Sequence, residues 1–153
     1  MSLQKDIHQL RNFRNENHKA IVNLIFTTNW LSEKIKNFLD KEDITLQQYN
    51  ILRILRGSFP QPLSTLQIRE RMLDKMSDTS RIVDRLVIKG FAKKTTCKAD
   101  KRLVDVLITD KGRKLLGKLD AKSDNMDSII ARLSEKETKT LNKLLDKARG
   151  SIR

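Results

Sequence analysis

The sequence contains few cysteines, which cross-link a chain, and few aromatic residues, which fill a hydrophobic core. Its 153 residues include one cysteine, Cys97, so a disulfide within the chain is excluded. Two prolines and five glycines are present, and the glycines lie at separate turns or helix ends. Aromatic residues make up 5% of the chain, so aliphatic side chains must supply most of a single domain-sized core.

Several classes of protein are excluded by what the chain lacks. Its apolar runs are a few residues long, whereas a bilayer-spanning helix needs roughly 20. No signal-peptide pattern precedes the first helix, so we expect a cytoplasmic protein with no membrane partner. There is no HExxH motif, no phosphate-binding glycine loop and no nucleophile paired with a base, and His8 and His18 are too far apart for a metal site. We expect neither an enzyme nor a bound metal or cofactor.

Positive charge is what the chain has in excess. The formal net charge is +13, and residues 44–115 carry 16 Lys or Arg against 7 Asp or Glu, a net of +9. So large a positive field attracts polyanions. Nucleic acid is the first candidate partner, an anionic membrane surface is the second, and a role in solubility alone is the third.

Helical spacing dominates the first third of the chain. Residues 3–13 predict a short amphipathic helix, and residues 15–39, which contain neither proline nor glycine, predict a long one with two apolar stripes. A helix that is apolar around so much of its circumference packs against two different partners. The side chains concerned are Leu3, Ile7 and Leu10 in the short helix, Ile21, Leu24, Ile25, Leu31, Ile35, Phe38 and Leu39 in one stripe, and Val22, Phe26 and Trp30 in the other.

The middle of the chain carries signals for the starts and ends of three helices. Thr45 caps a helix that ends near Gly57, and the sequence STLQ, residues 64–67, is a capping box for a short second helix. A third helix begins at Ser77 and ends at a glycine C-cap, Gly90. These elements predict a helix-turn-helix.

After the third helix the period changes from helical to extended. The sequences FAKKTTC, residues 91–97, and LVDVLIT, residues 103–109, predict a β-hairpin joined by KADKR, residues 98–102. Thr109 caps the next helix, and a capping box at residues 134–137 opens the last one. We therefore predict a mainly α fold with a small β wing, in which terminal helices flank a winged helix-turn-helix.

The predicted third helix has the properties of a DNA-recognition helix. An α-helix fits the major groove, and the second helix of a helix-turn-helix reads base edges with residues near its N-terminus. Arg81 is early enough to reach bases, while Arg85 and Lys89 are placed for phosphates. The candidate DNA-binding residues of this helix are Ser77, Asp78, Ser80, Arg81, Arg85 and Lys89. The open alternative is an amphipathic helix whose polar face meets only water.

The wing adds a second group of cations. A hairpin after such a helix lies beside the backbone and the neighbouring minor groove, where an inserted arginine is favoured. We predict insertion of Arg102 and phosphate contacts from Lys98 and Lys101, with Asp100 orienting the Arg102 guanidinium bidentately. Asp84 accepts a hydrogen bond from cytosine, holds an arginine, or pairs with a lysine of the preceding loop or a wing cation.

Two segments resemble the MarR family of winged helix-turn-helix transcriptional regulators. SRIVDRLVIKGFAKK, residues 80–94, is similar to the family's recognition helix and first wing strand. DKRLVDVLITDKGRKLL, residues 100–116, is similar to its wing, with an Asp-x-Arg pair. The likeness covers residues 44–116, and Lys101 departs from it because the family often has Arg there.

The resemblance implies a homodimer whose terminal helices interlock and whose winged domains occupy adjacent major grooves of a pseudo-palindromic operator. One apolar stripe of the long helix would then serve its own domain and the other a partner. The implied organisation has three parts: dimerisation helices in residues 1–43, the DNA-binding domain in 44–109, and further dimerisation helices in 110–153. The implied function is a repressor that a small aromatic or phenolic effector releases, with Trp30 and Tyr49 as candidates for the effector pocket or as plain core.

Two other functions stay open at this point. Winged helices also serve as RNA-binding or protein-interaction modules, although the basic middle of this chain has few aromatic residues on which bases would stack. Some relatives sense oxidants through a cysteine, and Cys97 lies in the first wing strand between Lys94 and Lys98. We therefore expect the chain to bind duplex DNA. The simpler interpretation of Cys97 is an inert strand residue.

Overall fold

The structure, a computed structural model, describes residues 2–150, which contain eight α-helices and one three-stranded antiparallel sheet. The predicted mainly α fold with a small β wing is confirmed. The helices are α1 (Leu3–Asp6), α2 (Glu16–Leu39), α3 (Leu46–Ser58), α4 (Thr65–Arg71), α5 (Thr79–Ile88), α6 (Asp110–Asp120), α7 (Ser123–Asp127) and α8 (Glu135–Arg149), and the strands are β1 (Leu63–Ser64), β2 (Ala92–Thr96) and β3 (Val104–Ile108). Short 3-10 segments occupy Asp40–Glu42 and Ser128–Ile130.

Side-chain caps fix where several helices begin. At the start of α3 the Thr45 hydroxyl accepts from the backbone N–H of Gln48 at 3.1 Å, and the side-chain Oε1 of Gln48 accepts from the backbone N–H of Thr45 at 3.1 Å. The predicted capping boxes of α4, at Ser64, and of α8, at Ser134, are both formed. Each box satisfies two backbone donors that a helix start otherwise leaves unpaired.

The sheet places the wing beside the helix-turn-helix. Its strand order is β1-β3-β2, and β3 pairs with β2 from Ala92 opposite Ile108 to Thr96 opposite Val104. The predicted hairpin is therefore present. The third strand, β1, was not predicted, because two residues are too short to display an alternating pattern.

The core lies between α3, α4, α5, α6 and the sheet, and the end of α2 closes it. Aliphatic side chains fill it, as the scarcity of aromatic residues predicts. Its largest fully buried side chains are Leu39, Ile51, Leu52, Leu55, Ile68, Met72, Leu86, Leu116, Val83 and Val106. The winged unit thus packs around one continuous core, which holds α5 and the wing in a fixed relation.

Two predictions about helix boundaries were wrong. The amphipathic helix over residues 3–13 ends at Asp6, because His8 has a left-handed backbone with φ 51° and Leu10 is fully exposed. The third helix of the middle region begins at Thr79 rather than Ser77, because Asp78 is its N-cap and accepts from the backbone N–H of Arg81 at 3.2 Å.

The long helix α2 is divided along its length rather than between two stripes. Its C-terminal part packs on the core through Ile35, Phe38 and Leu39. Its preceding part exposes large apolar side chains of both predicted stripes, namely Ile21, Leu24, Ile25, Phe26 and Trp30. No helix within residues 2–150 combines the length and the apolar character that crossing a membrane requires.

Candidate nucleic-acid interface

One face of α5 is charged and exposed, and the opposite face is buried. Val83 and Leu86 are fully buried, whereas Arg81, Asp84 and Arg85 are exposed and repeat at helical spacing. Neither guanidinium has an ion-pair partner in the part of the chain that the structure describes. The exposed guanidinium groups of Arg81 and Arg85 therefore lie on one side of α5, one helical turn apart.

The wing is attached to this stripe by an ion pair. The Lys94 ammonium on β2 donates to the Asp84 carboxylate on α5. Of the alternatives open for Asp84, the structure selects pairing with a wing cation. Because a strand advances about 3.3 Å per residue, the wing tip that begins at Lys98 lies roughly 13 Å beyond this contact. The pair therefore fixes β2 alongside the exposed stripe of α5.

The wing tip is a hydrogen-bonded turn with exposed cations. The backbone N–H of Cys97 donates to the Leu103 carbonyl at 3.0 Å, and that of Leu103 donates to the Asp100 carbonyl at 3.0 Å. The Asp100 carboxylate accepts from the backbone N–H of Arg102 at 3.0 Å, so it shapes the turn. The exposed cations of the tip are Lys98, Lys101 and Arg102.

The contact predicted for Asp100 differs from the one observed. A bidentate ion pair with the Arg102 guanidinium was expected, and none is formed within residues 2–150. The reason is local, because an aspartate two residues before a turn N–H closes a short Asx-type ring that competes for the same carboxylate. The guanidinium of Arg102 is consequently left available.

The structure separates Lys89 from the other predicted DNA-binding residues. Lys89 is the C-cap of α5, and its ammonium donates to the backbone carbonyl of Asp43 and lies 3.6 Å from the carboxylate of the same residue. The side-chain amide oxygen of Gln48 is also near, at 3.5 Å. Lys89 thus connects the end of α5 to the segment before α3. This contact was not predicted because the residues that make it are far apart in the sequence.

The remaining predicted residues lie at the other end of α5. Ser77 precedes the helix, Asp78 caps it, and Ser80 is in its first turn. Ser80 is exposed, while the Ser77 hydroxyl is buried. The structure therefore brings these three residues to the same end of the helix as Arg81.

The first turn of α6 holds the C-terminal end of α5. The Thr109 hydroxyl donates to the Gly90 carbonyl at 2.6 Å and accepts from the Gly112 N–H at 3.1 Å, and the Lys111 ammonium donates to the Lys89 carbonyl at 2.8 Å. Gly90 has φ 78°, the left-handed conformation that favours glycine at a helix end. Sequence reasoning identified Thr109 as a cap but missed this link to α5.

A carboxylate on α6 anchors that helix to α3. The Arg56 guanidinium donates to the two carboxylate oxygens of Asp120 at 2.5 and 3.4 Å. This hydrogen bonding lowers the pKa of Asp120, and partial burial opposes the shift. The contact joins the end of α3 to the end of α6.

The two candidate effector residues occupy different environments. Tyr49 is buried in the core of the winged unit, and its hydroxyl accepts from the Arg53 guanidinium at 3.0 Å, which raises the pKa of Arg53. Trp30 lies on α2 with 37% of its surface exposed. No ring contact joins them within residues 2–150. Cys97, the candidate redox residue, is a partly exposed free thiol at the base of the wing tip.

The MarR family model matches residues 44–104, which run from the segment before α3 to the start of β3. These 61 of the 153 residues are similar to the MarR family. No curated protein matches the chain significantly.

Solved MarR-family structures extend the likeness to the flanking helices. The MarR transcription factor from Planctomyces limnophilus is 28% identical, with 88% of this chain and 98% of that chain covered and a TM-score of 0.67. A cysteine-to-serine mutant of MarR from E. coli in complex with operator DNA is 22% identical, with coverages of 90% and 99% and a TM-score of 0.80. The S. aureus MepR–DNA complex is 21% identical, with coverages of 82% and 92% and a TM-score of 0.73.

The MarR-family fold thus accounts for more of the chain than the matched domain. The helices before residue 44 and after residue 104 follow the order of elements in these solved structures, because each likeness covers more than four fifths of the chain. The chain therefore shares the winged-helix fold of these MarR-family structures, including the helices that flank the matched segment.

Proposed function

We propose that this chain is a sequence-specific transcriptional regulator that binds double-stranded DNA as a homodimer and represses transcription. The observation that carries the proposal is the Asp84–Lys94 ion pair, because it sets the wing beside the exposed stripe of α5. One duplex can then meet Arg81 and Arg85 in its major groove and the wing cations along its backbone. The DNA complexes of the E. coli and S. aureus relatives support the same partner.

The proposed base and phosphate contacts divide between the helix and the wing. Asp78, Ser80 and Arg81 enter the groove at the N-terminal end of α5, and Arg85 reaches a phosphate farther along; Ser77, whose hydroxyl is buried, lies in the segment before the helix. Lys98 and Lys101 bind phosphates from the wing tip, and Arg102 enters the minor groove. Lys89 is omitted from this interface because its ammonium binds the segment before α3.

The homodimer is proposed from the apolar surface of the terminal helices. α8 has 15 residues and a capping box, yet none of its residues is buried, and Leu141 and Leu144 are exposed. α2 exposes five large apolar side chains over its first two thirds. Isolated helices of this length are marginal in water, so their stability comes from packing that a partner would supply.

The dimer divides the chain as the sequence predicts. Residues 1–43 and 110–153 form the dimerisation region, and residues 44–109 bind DNA. The two α5 helices then occupy major grooves one helical turn, or roughly 34 Å, apart on a pseudo-palindromic operator.

A small aromatic or phenolic effector is proposed to release the dimer from DNA. Such a compound acts only if it binds one spacing of the two winged domains better than another. Trp30 lies on the exposed part of α2, at the proposed dimer surface, and it is the only tryptophan in the sequence. Quenching of its fluorescence by phenolic carboxylates, measured alongside DNA release, tests this part of the proposal.

The proposed function is tested by fluorescence anisotropy titration of the full chain. Labelled duplex and single-stranded oligonucleotides of equal length are titrated at several salt concentrations. We expect tighter binding to the duplex and a slope of log K against log salt of roughly −5 to −9, from about 6 to 10 phosphate contacts per dimer. Equal or tighter binding to single strands would favour an RNA-binding module instead. Selection of bound genomic fragments would then give the operator.

A further inference from the structure

A polar cleft lies between the helix-turn-helix elements, at the N-terminal end of α5. The cleft, which we call the α4–α5 cleft, has a volume of about 510 Å³. Residues of α4 line one side of it, and the end of the α4–α5 loop and the first turn of α5 line the other. Its main lining residues are Leu66, Arg69, Met76, Ser77, Thr79 and Ser80.

Two hydroxyl groups at this cleft have no hydrogen-bond partner. Thr79 is 4% exposed, and neither its hydroxyl nor the buried hydroxyl of Ser77 is paired in the part of the chain that the structure describes. Burying a hydroxyl without a partner costs free energy, and nearly all such groups in folded proteins are satisfied. Thr79 lies at helical spacing from the buried residues Val83 and Leu86, so the helical period accounts for its burial but not for its unpaired hydroxyl.

The start of α5 adds unpaired backbone donors. Asp78 takes the N–H of Arg81, but the N–H groups of Thr79 and Ser80 have no acceptor within residues 2–150. Free N–H groups at the first turn of a ten-residue helix, together with its dipole, favour an anion. The hydroxyls and these N–H groups therefore converge on one end of the helix.

A cation completes the cleft from the opposite side. Arg69 on α4 is exposed and has no ion-pair partner in residues 2–150. Arg71, two residues farther along the same helix, instead donates to the Ser58 hydroxyl at 2.9 Å. The carboxylate of Asp78 opposes an anion here, so the charge of Arg69 is needed to offset it.

We propose that the α4–α5 cleft is a binding site for a phosphodiester of the DNA backbone. The Arg69 guanidinium, the Thr79 hydroxyl and the first backbone N–H groups of α5 donate to its oxygens. The exposed side chains of Leu66 and Met76 at the same cleft offer an apolar surface to the attached deoxyribose. This site rests on the proposed function and extends it to Arg69 and Thr79, which the predicted interface did not include.

Substitution of Thr79 distinguishes a role of its hydroxyl in binding DNA from a role in the stability of the folded protein. Thr79→Val keeps the size of the side chain and removes the hydroxyl, which makes no hydrogen bond in the free protein. We expect an unchanged or higher melting temperature but roughly tenfold weaker duplex binding, since a hydrogen bond to a charged group is lost. Thr79→Ser, which keeps the hydroxyl, should retain the wild-type affinity.

Substitution of Arg69 tests the charge, with a matched control on the same helix. Arg69→Gln should reduce the magnitude of the salt slope by about 1 per subunit, to the same extent on two unrelated duplexes of equal length, because a backbone contact carries no sequence information. Arg71→Gln removes the same charge from the side facing Ser58 and should leave the slope unchanged.

The outcomes separate this site from the proposed function. If Thr79→Val binds duplex as tightly as wild type while Arg81→Ala binds weakly, the cleft assignment is overturned and the proposed function stands. If inorganic phosphate raises the melting temperature of wild type but not of Thr79→Val, and both bind duplex equally, the cleft binds free phosphate and the backbone assignment is overturned. If wild type fails to bind duplex, both proposals fail.

Discussion

The carboxylate of Asp84 on α5 is paired with the ammonium of Lys94 on β2. The two residues are ten positions apart in the sequence and belong to elements of different type. Their pairing neutralises a carboxylate that would otherwise repel phosphates, and it keeps one cation of the wing from binding them. The two elements of the proposed interface are thereby coupled electrostatically.

Removing the charge of Asp84 is expected to release Lys94 toward DNA. Asp84→Asn should steepen the salt slope of duplex binding by about 2 per dimer, because one further cation per subunit then neutralises a phosphate. Anisotropy titrations at several salt concentrations measure the slope. Glu135→Gln is the matched control, since it breaks a similar exposed pair with Lys139 on α8, away from the interface. A shallower slope for Asp84→Asn would contradict the coupling.

Gly112 is expected to be essential for the junction between α5, the wing and α6. A Cβ at this position would lie 2.4 Å from the Phe91 carbonyl oxygen and 2.8 Å from the Ile108 side chain, and the backbone oxygen cannot move aside cheaply. Gly112→Ala should therefore lower the free energy of unfolding by about 1 to 3 kcal/mol, measured by urea denaturation.

A second glycine of α6 provides the control for that measurement. A Cβ at Gly117 would meet no atom within 4 Å. Gly117→Ala should raise the free energy of unfolding by up to about 1 kcal/mol, because alanine is the better helix former. Equal effects of the two substitutions would show that helix propensity, rather than crowding at Phe91, determines the result.

The Thr109–Gly112 pair illustrates how much of this region the sequence predicts. The cap at Thr109 was predicted because a Thr before a helical pattern is a local signal. The bond from its hydroxyl to Gly90 was not, because it joins residues 19 positions apart. Local sequence signals likewise predicted the capping boxes at Ser64 and Ser134. Strand β1 was not predicted, because it exists only through its long-range pairing with β3.

In the candidate site, too, local patterns were predicted correctly and contacts between distant residues were not. The outward direction of Arg81 and Arg85 follows from helical period alone, and the structure agrees with it. Lys89 satisfies the same period, yet its ammonium binds Asp43, 46 positions away, which no local pattern encodes. The helical period puts Thr79 on the buried face with Val83 and Leu86, but no periodic pattern reveals that its hydroxyl is unpaired within residues 2–150.

Arg102 is expected to contribute strongly to duplex binding without affecting assembly. Arg102→Ala should weaken binding by about 1 to 3 kcal/mol and reduce the salt slope, because an exposed guanidinium is lost from the wing tip. Anisotropy gives the affinity, and size-exclusion chromatography with light scattering gives the oligomeric state. Lys34→Ala removes one exposed charge from α2, outside the winged unit, and should leave the duplex affinity unchanged. Loss of the dimer in Arg102→Ala would contradict the placement of the wing.

The Arg56–Asp120 pair predicts a pH-dependent contribution to stability. Because the folded-state pKa of Asp120 is lowered, the contribution is present above the unfolded pKa of about 3.9 and is lost as the pH falls through the folded value. Asp120→Asn should lower the free energy of unfolding at pH 7 by no more than about 1 kcal/mol, since the pair is partly exposed. In urea denaturation the difference between the two proteins should become smaller as the pH is lowered below that unfolded value. A difference that did not change with pH would assign the effect to packing instead.

The exposed apolar face of α2 is expected to be buried in the dimer. Ile25 is 60% exposed and lies beside Ile21 and Leu24, so Ile25→Glu would place a carboxylate in the proposed interface. Light scattering should detect a monomer, and circular dichroism should detect a folded winged unit, because that unit has its own core. Gln61→Glu adds the same charge to an exposed turn after α3, outside the apolar face of α2, and should remain dimeric. If Ile25→Glu stays dimeric, the two copies meet through a surface other than this face of α2.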